Sequence, residues 1–81
     1  MKKLAICEAN ELIEKAHIEV AEGREWKYRF GQSIWNNLPE KVTPLRIELT
    51  GTDKDFFYWT NNDKVIESLF ENFVDLDWEN Q

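Results

Sequence analysis

The sequence predicts an all-α protein, a single small domain (residues 1–81) of about four short helices around an aromatic core. Two observations predict this fold class. Apolar residues recur at spacings of three and four, as on one face of a helix, and most of the few glycines and prolines stand at the ends of these periodic stretches. Because a chain this short forms a thin core, its four Trp, five Phe and two Tyr are expected to fill it.

The first helix is predicted over residues 3–22, with Gly23 as its C-terminal stop. Its apolar stripe is expected to face the core and comprises Ala5, Ala9, Leu12, Ile13, Ala16 and Val20. Cys7 is expected to be a small buried residue of this helix. Carboxylates are expected on solvated outer faces of the first and last helices, at Glu8, Glu11, Glu19, Glu22, Glu67 and Glu71. The alternative is that they imitate the phosphates of a nucleic acid.

The second helix is predicted over residues 24–38 and ends before Pro39. Two adjacent apolar stripes give it a broad face, formed by Trp26, Tyr28, Phe30, Gly31, Ile34, Trp35 and Leu38. A glycine inside a helix costs about 1 kcal/mol relative to alanine, so Gly31 indicates close packing or a kink. Gln32 either caps a buried backbone group or faces water, and the pattern does not decide between them.

Residues 43–50 fit two structures. Thr43 suits an N-cap, Pro44 the first helical position and Gly51 the C-terminal cap, which favours a short helix. The alternation of apolar residues suits a short strand at 45–49 instead, and the fold would then be α+β.

The rest of the chain is predicted to be a loop, a helix and a tail. Residues 51–61 are expected to form an ordered loop, because four consecutive aromatic residues in it are too apolar for a solvated one. The last helix is predicted over residues 62–74, capped by Asn61 or Asn62. Residues 75–81 are expected to form a flexible acidic tail.

The net charge of −6 argues against wholesale binding to nucleic acid or to an anionic membrane. The basic pair at the start is followed by charged residues that interrupt the apolar run, unlike a secretory signal. No apolar stretch is long enough to span a membrane. A cytoplasmic protein with a reduced thiol is therefore expected.

The residues that could carry chemistry form no catalytic or metal-binding constellation. His17 and Cys7 are almost three helical turns apart, about 15 Å, so they cannot pair within one helix. Asp53 and Asp55 begin like an EF-hand loop, but Tyr58 stands where that loop needs glycine. A turn capped by Thr and Asp side chains is favoured there over a weak cation site. We therefore expect no enzyme, no cofactor and no metal.

Two blocks of the sequence, EWKYRFGQSIWNNL (25–38) and LTGTDKDFFY (49–58), resemble small uncharacterised proteins of bacteriophages and other mobile elements. The chain departs from their pattern at Phe30, and at Phe56, where they have Pro. The resemblance implies no activity or site, but it implies an accessory protein that binds and modulates a host protein. The matching residues are Trp26, Arg29, Gly31, Gln32, Trp35, Asn36, Gly51, Thr52, Asp53, Asp55, Phe57 and Tyr58.

The favoured function is a non-enzymatic module that binds a protein partner. Tyr58, Trp59 and Trp78 are the candidate contact residues, because loops and tails leave aromatic side chains exposed and Trp and Tyr anchor interfaces well. Self-association into a homodimer is a variant of this hypothesis, in which surplus aromatic residues complete the core across an interface.

The alternative function is nucleic-acid binding through the basic and aromatic segment 24–35. Arg24, Lys27 and Arg29 form the compact basic rim of this segment and would meet phosphates, while aromatic rings would stack on bases. An amphipathic helix explains the same residues, with its aromatic side chains in the core and its basic groups reaching outward. The basic rim then suits an acidic partner or this protein's own acidic tail.

Overall fold

The computed structural model describes residues 2–22 and 29–76. Over these ranges the chain forms four α-helices, and a single turn of 3-10 helix at Glu40–Val42 leads into the third. The prediction of an all-α fold is confirmed. The helices are α1 (Ile6–Glu22), α2 (Phe30–Asn36), α3 (Thr43–Leu49) and α4 (Asn62–Asn72).

The two ends of the described chain lie side by side. Leu4 and Val74 form an isolated parallel bridge, in which the Leu4 N–H donates to the Phe73 carbonyl at 2.7 Å and the Asp75 N–H donates to the Leu4 carbonyl at 2.9 Å. These hydrogen bonds need extended backbone. The first and last helices are therefore shorter than predicted. Three residues are missing from the start of α1 and two from the end of α4.

The second helix is also shorter than predicted. Arg29 has extended backbone angles (φ −101°, ψ 153°) and precedes the first helical residue, Phe30, so the prediction of a helix through residue 29 is wrong. Residues 24–28 of that prediction lie outside the described part of the chain. The helix ends before Pro39, as predicted, with Asn37 as its C-cap.

The third helix resolves the ambiguity at residues 43–50 in favour of a helix, and the strand alternative at 45–49 is wrong. Pro44 lies in the first helical turn, where its missing N–H costs nothing. Gly51 follows the C-cap Thr50 with φ of +80°. This left-handed conformation is the one that a glycine just after a helix adopts readily.

The core is built from aromatic rings that meet edge to face. Trp35 of α2 lies 5.1 Å from Phe56 and 5.6 Å from Phe73, measured between ring centroids. Phe56 and Phe73 are fully buried. Because Phe56 belongs to the segment between α3 and α4, the prediction that an aromatic residue of the 51–61 loop fills the core is confirmed.

Gly31 allows the loop to approach α2. A Cβ atom at this position would lie 2.3 Å from the backbone oxygen of Phe56 and 3.2 Å from a methyl group of Val65. The first distance is far inside van der Waals contact. The prediction of close packing at Gly31 is therefore confirmed, and the neighbour is the backbone of the loop.

Three predictions about α1 are wrong. The buried face of this helix runs through Ala9, Leu12, Ala16 and Glu19. Cys7 is exposed because it lies off this face. Val20 is 39% exposed, although it lies four residues after the buried Ala16. Glu19, which was expected in solvent, is 9% exposed because α2 packs over it.

Candidate interaction surface

The loop that carries the candidate aromatic residues is held by the side chain of Asp55. Its two carboxylate oxygens accept hydrogen bonds from the backbone N–H groups of Gly51 at 2.9 Å and Phe57 at 3.0 Å. Thr52 Oγ1 accepts from the Lys54 N–H at 3.2 Å and donates to the Leu49 carbonyl at 2.6 Å. The prediction of a turn capped by Thr and Asp side chains is confirmed, and both carboxylate oxygens of Asp55 accept hydrogen bonds within it.

The same loop is also anchored in the core, by Phe56. The side chain of Phe56 is fully buried, and its backbone oxygen accepts a hydrogen bond from the Trp59 N–H at 3.1 Å. The Trp59 ring lies 6.3 Å from the Phe56 ring and is half-buried. Phe57 and Tyr58 therefore lie on a turn whose two ends, Phe56 and Trp59, are held in place.

Tyr58 lies on the outer side of this turn. Its side chain is 73% exposed and its ring lies 4.7 Å from that of Phe57. The backbone carbonyl of Tyr58 accepts a hydrogen bond from Arg29 Nη1 at 2.9 Å. One candidate from the basic rim, Arg29, thus meets one candidate from the aromatic set, Tyr58.

The other candidates cannot be placed. Trp78 from the aromatic set, and Arg24 and Lys27 from the basic rim, lie outside the described residues. The described part of the candidate site therefore consists of Tyr58, Trp59 and Arg29, together with what surrounds them.

Three shallow grooves meet at Trp59, which lines each of them. The first has a volume of about 420 Å³ and is lined by Tyr58, Trp59, Thr60, Asn61 and Lys64. The second, of about 280 Å³, is lined by Val20, Arg29, Phe30, Trp59, Thr60 and Asn62. The third, of about 270 Å³, is lined by Asp53, Lys54, Trp59, Lys64, Glu67, Ser68, Glu71 and Asn72.

The sequence reasoning missed the contribution of the start of α4. Asn61 is the N-cap of this helix, and its side-chain oxygen accepts a hydrogen bond from the Lys64 N–H at 3.2 Å. This cap places Lys64 in the groove beside Tyr58. The sequence predicted a cap at Asn61 or Asn62, but it carried no signal for the groove, because the groove depends on how the folded loop lies beside α4.

We call this surface the Trp59 surface and define it by Arg29, Tyr58, Trp59, Thr60, Asn61 and Lys64. It combines one exposed aromatic ring, one half-buried ring and two cationic side chains. The arrangement can stack a planar or apolar group on the rings and bind an anion with the cations.

Two polar clusters elsewhere join helices. Glu19 accepts a hydrogen bond from Ser33 Oγ at 2.5 Å and one from Asn37 Nδ2 at 3.2 Å, which ties α1 to α2. Glu8 forms an ion pair with Lys41 and accepts from the Ala5 N–H at 2.9 Å. The Lys41 ammonium and then the Ala5 N–H lower the pKa of Glu8 below its ordinary value.

The remaining candidates for chemistry are separate from the Trp59 surface. The ring of His17 packs on that of Phe30, with 4.7 Å between centroids. In residues 2–22 and 29–76, no three His, Cys, Asp or Glu side chains are grouped so that they could hold a metal ion. Within the same ranges, every helix is too short or too polar to cross a membrane.

No family model matches the sequence, and no curated protein or solved structure is significantly similar to it. The function is therefore inferred from the residues of the Trp59 surface.

Proposed function

We propose that this protein is a non-enzymatic interaction module that binds a protein partner through the Trp59 surface. In this proposal it acts in the cytoplasm as an accessory protein of a phage or mobile element, and it modulates the host protein that it binds. The acidic composition and the sequence resemblance to small phage proteins support that setting.

The observation that carries the proposal is the exposure of Tyr58. Among the described residues, it is the most exposed large hydrophobic side chain, at 73%. A chain with a thin core gains stability by burying its aromatic rings, yet the turn that displays Tyr58 is anchored at Asp55, Phe56 and Arg29. Tyrosine and tryptophan on a rigid support are the side chains that most often anchor a protein interface.

A second candidate function, single-stranded nucleic-acid binding, is favoured by the position of Arg29. A guanidinium next to an exposed ring is an arrangement that binds phosphate while a base stacks. The net charge of −6 opposes it. Nucleic-acid binding is kept as the alternative function. Homodimer formation is a form of the main proposal in which the protein partner is a second copy of this chain.

The experiment is affinity capture with a matched pair of variants. Tagged wild-type protein, Y58A and I47A are incubated with lysate of the cell that makes the protein, with and without nuclease, and the captured proteins are identified by mass spectrometry. Ile47 is 63% exposed on α3 and lines none of the three grooves, so I47A removes an exposed hydrophobic side chain away from the Trp59 surface. Neither variant removes a buried group, so both should fold.

The proposal expects one partner that wild type and I47A capture and that Y58A loses, with no effect of nuclease. A partner that disappears with nuclease supports the nucleic-acid alternative. A partner that Y58A retains and I47A loses contradicts the proposed surface. Wild-type protein that captures nothing and elutes as a dimer, while Y58A elutes as a monomer, identifies the second copy as the partner.

A further inference from the structure

The charges around Trp59 are distributed unevenly among the grooves. Among the described residues that line the groove beside Tyr58, the charged one is Lys64. Among those that line the groove beside Phe30, the charged one is Arg29. Neither groove has a carboxylate among those residues. The third groove, on the other side of Trp59, combines Lys54 and Lys64 with Asp53, Glu67 and Glu71.

This distribution is opposite to that of the whole chain. The protein carries 16 acidic and 10 basic residues, so a surface patch chosen without regard to function would carry an excess of carboxylates. The two grooves that flank Thr60 carry cations instead. Complementary charge across an interface guides association and suppresses incorrect partners.

Both cations can turn toward a partner. Arg29 uses Nη1 to bind the Tyr58 carbonyl, and a guanidinium has further N–H donors in the same plane. Lys64 is 3.9 Å from Glu67, with side chains that are 64% and 57% exposed. An exposed pair at this distance contributes little, so a carboxylate of a partner can replace Glu67 at little cost.

We propose that the occupant of the two grooves is an acidic peptide segment of the partner protein, with an apolar side chain between its carboxylates. This inference deepens the proposed function and depends on it. The apolar side chain packs on Tyr58 and Trp59, one carboxylate pairs with Lys64 and another with Arg29. The grooves share Trp59 and Thr60, so a short extended segment reaches both cations.

The third groove distinguishes this occupant from a nucleic acid. A single strand carries a phosphate at every nucleotide, and those that reach beyond Trp59 would meet Asp53, Glu67 and Glu71. A peptide can place its carboxylates at the two cations and neutral residues elsewhere. The three carboxylates of the third groove therefore disfavour a polyanion, whereas a peptide with a few well-placed charges avoids them.

The test is a display selection with a library of random dodecapeptides, using the wild-type protein as bait and Y58A for counter-selection. The selected peptides are synthesised, and their affinities for wild type, K64Q, R29Q and K3Q are measured. Lys3 is exposed and lines none of the three grooves, so K3Q removes the same charge elsewhere. Oligothymidylate is titrated in parallel.

The inference expects selected peptides rich in Asp or Glu around an apolar residue, with affinity about fivefold weaker for K64Q and unchanged for K3Q. R29Q is expected to weaken binding at least as much, because Arg29 also holds the Tyr58 carbonyl.

Three other results overturn the inference in distinguishable ways. Peptides that prefer wild type to Y58A but are neutral or basic contradict the acidic occupant and leave the proposed function intact. A selection in which no peptide prefers wild type to Y58A contradicts both. Salt-sensitive binding of oligothymidylate that Y58A abolishes replaces the peptide with a single-stranded nucleic acid.

Discussion

Gly31 shows how a single residue positions the loop of the Trp59 surface. Alanine there would gain about 1 kcal/mol of helix propensity, but its Cβ would lie 2.3 Å from the Phe56 oxygen. A backbone oxygen held by a buried phenylalanine cannot move away easily. The sequence predicted close packing at this glycine, but it could not show that the neighbour is the loop, because that contact joins residues far apart in the chain.

We expect G31A to lower the free energy of unfolding by about 1–3 kcal/mol, the usual cost of overpacking. Urea denaturation measures it through the transition midpoint. Q32A, at a half-buried neighbour in the same helix, is the control and should change the free energy by less than about 0.5 kcal/mol. A G31A variant as stable as the wild type would show that the loop is not packed on α2.

Glu19 is the residue at which the reasoning from sequence failed most clearly. It lies seven residues after Leu12 and three after Ala16, which is the spacing of the buried face, so its position could have been inferred. Glu19 was expected to be exposed to solvent, because an unpaired carboxylate is rarely buried. The hydrogen bonds from Ser33 and Asn37 that make burial acceptable belong to another helix.

We expect S33A to cost about 1–3 kcal/mol, because it removes a donor from a buried carboxylate. S68A is the matched control. Ser68 is also buried, but its hydroxyl donates to a neutral carbonyl, that of Lys54, at 3.3 Å, so its loss should cost about 1 kcal/mol or less. Thermal unfolding of both variants measures the difference. A larger effect of S68A would contradict the role of Ser33.

At the scale of elements, the sequence predicted the existence of the helices better than their boundaries. Apolar periodicity identified α1 and α4, and turn residues identified α3. The predicted second helix included Arg29, whose backbone is extended and whose guanidinium binds the Tyr58 carbonyl, 29 residues away. The start of α1 was misplaced because Leu4 forms backbone hydrogen bonds with Phe73 and Asp75, which need extended backbone and override local preference.

The start of α1 carries a contact that depends on pH. Glu8 accepts from the Ala5 N–H, which the helix leaves without an internal partner, and pairs with Lys41 next to α3. Its pKa is lower in the folded protein than in the unfolded chain. The folded state therefore binds fewer protons, and the stabilisation is present at neutral pH and lost as the pH falls through the lowered pKa.

We expect E8Q to be less stable than wild type at pH 7 by up to about 1 kcal/mol, as for a partly exposed pair. The difference should shrink as the pH is lowered below the ordinary carboxyl range of about 4. Thermal unfolding from neutral to acidic pH measures it. E14Q, which removes the same charge from an exposed position of α1, controls for net charge. A difference that grows in acid would contradict the assigned role of Glu8.

At the scale of the whole molecule, the loop between α3 and α4 both stabilises the core and exposes Tyr58 to solvent. It supplies Phe56 to a core that also contains Trp35 and Phe73, and it places Tyr58, two residues later, in solvent. Composition predicted that aromatic residues would fill the core, but four consecutive aromatic residues gave no means of deciding which ones would be buried. In the folded protein, the Phe56 backbone packs against Gly31 and its ring packs on Trp35 and Phe73.

The candidate site was predictable in part. Loops display aromatic side chains, so Tyr58 and Trp59 could be chosen from the sequence. Lys64 could not, because its place beside Tyr58 depends on how the Asn61 cap positions α4. The meeting of Arg29 with Tyr58 is equally a product of the folded chain. Arg29 from the basic rim meets Tyr58 from the aromatic set in a single surface, although the sequence assigned them to rival sites.

The central claim is that the turn bearing Tyr58 touches a protein partner, and photo-crosslinking tests it most directly. Photoreactive benzoylphenylalanine replaces Tyr58 in one variant and Ile47, an exposed residue of α3, in the other, and both are irradiated in the cells that make the protein. We expect a discrete adduct with one protein from position 58 and none from position 47. An adduct with that protein from position 47 and none from position 58 would contradict the account.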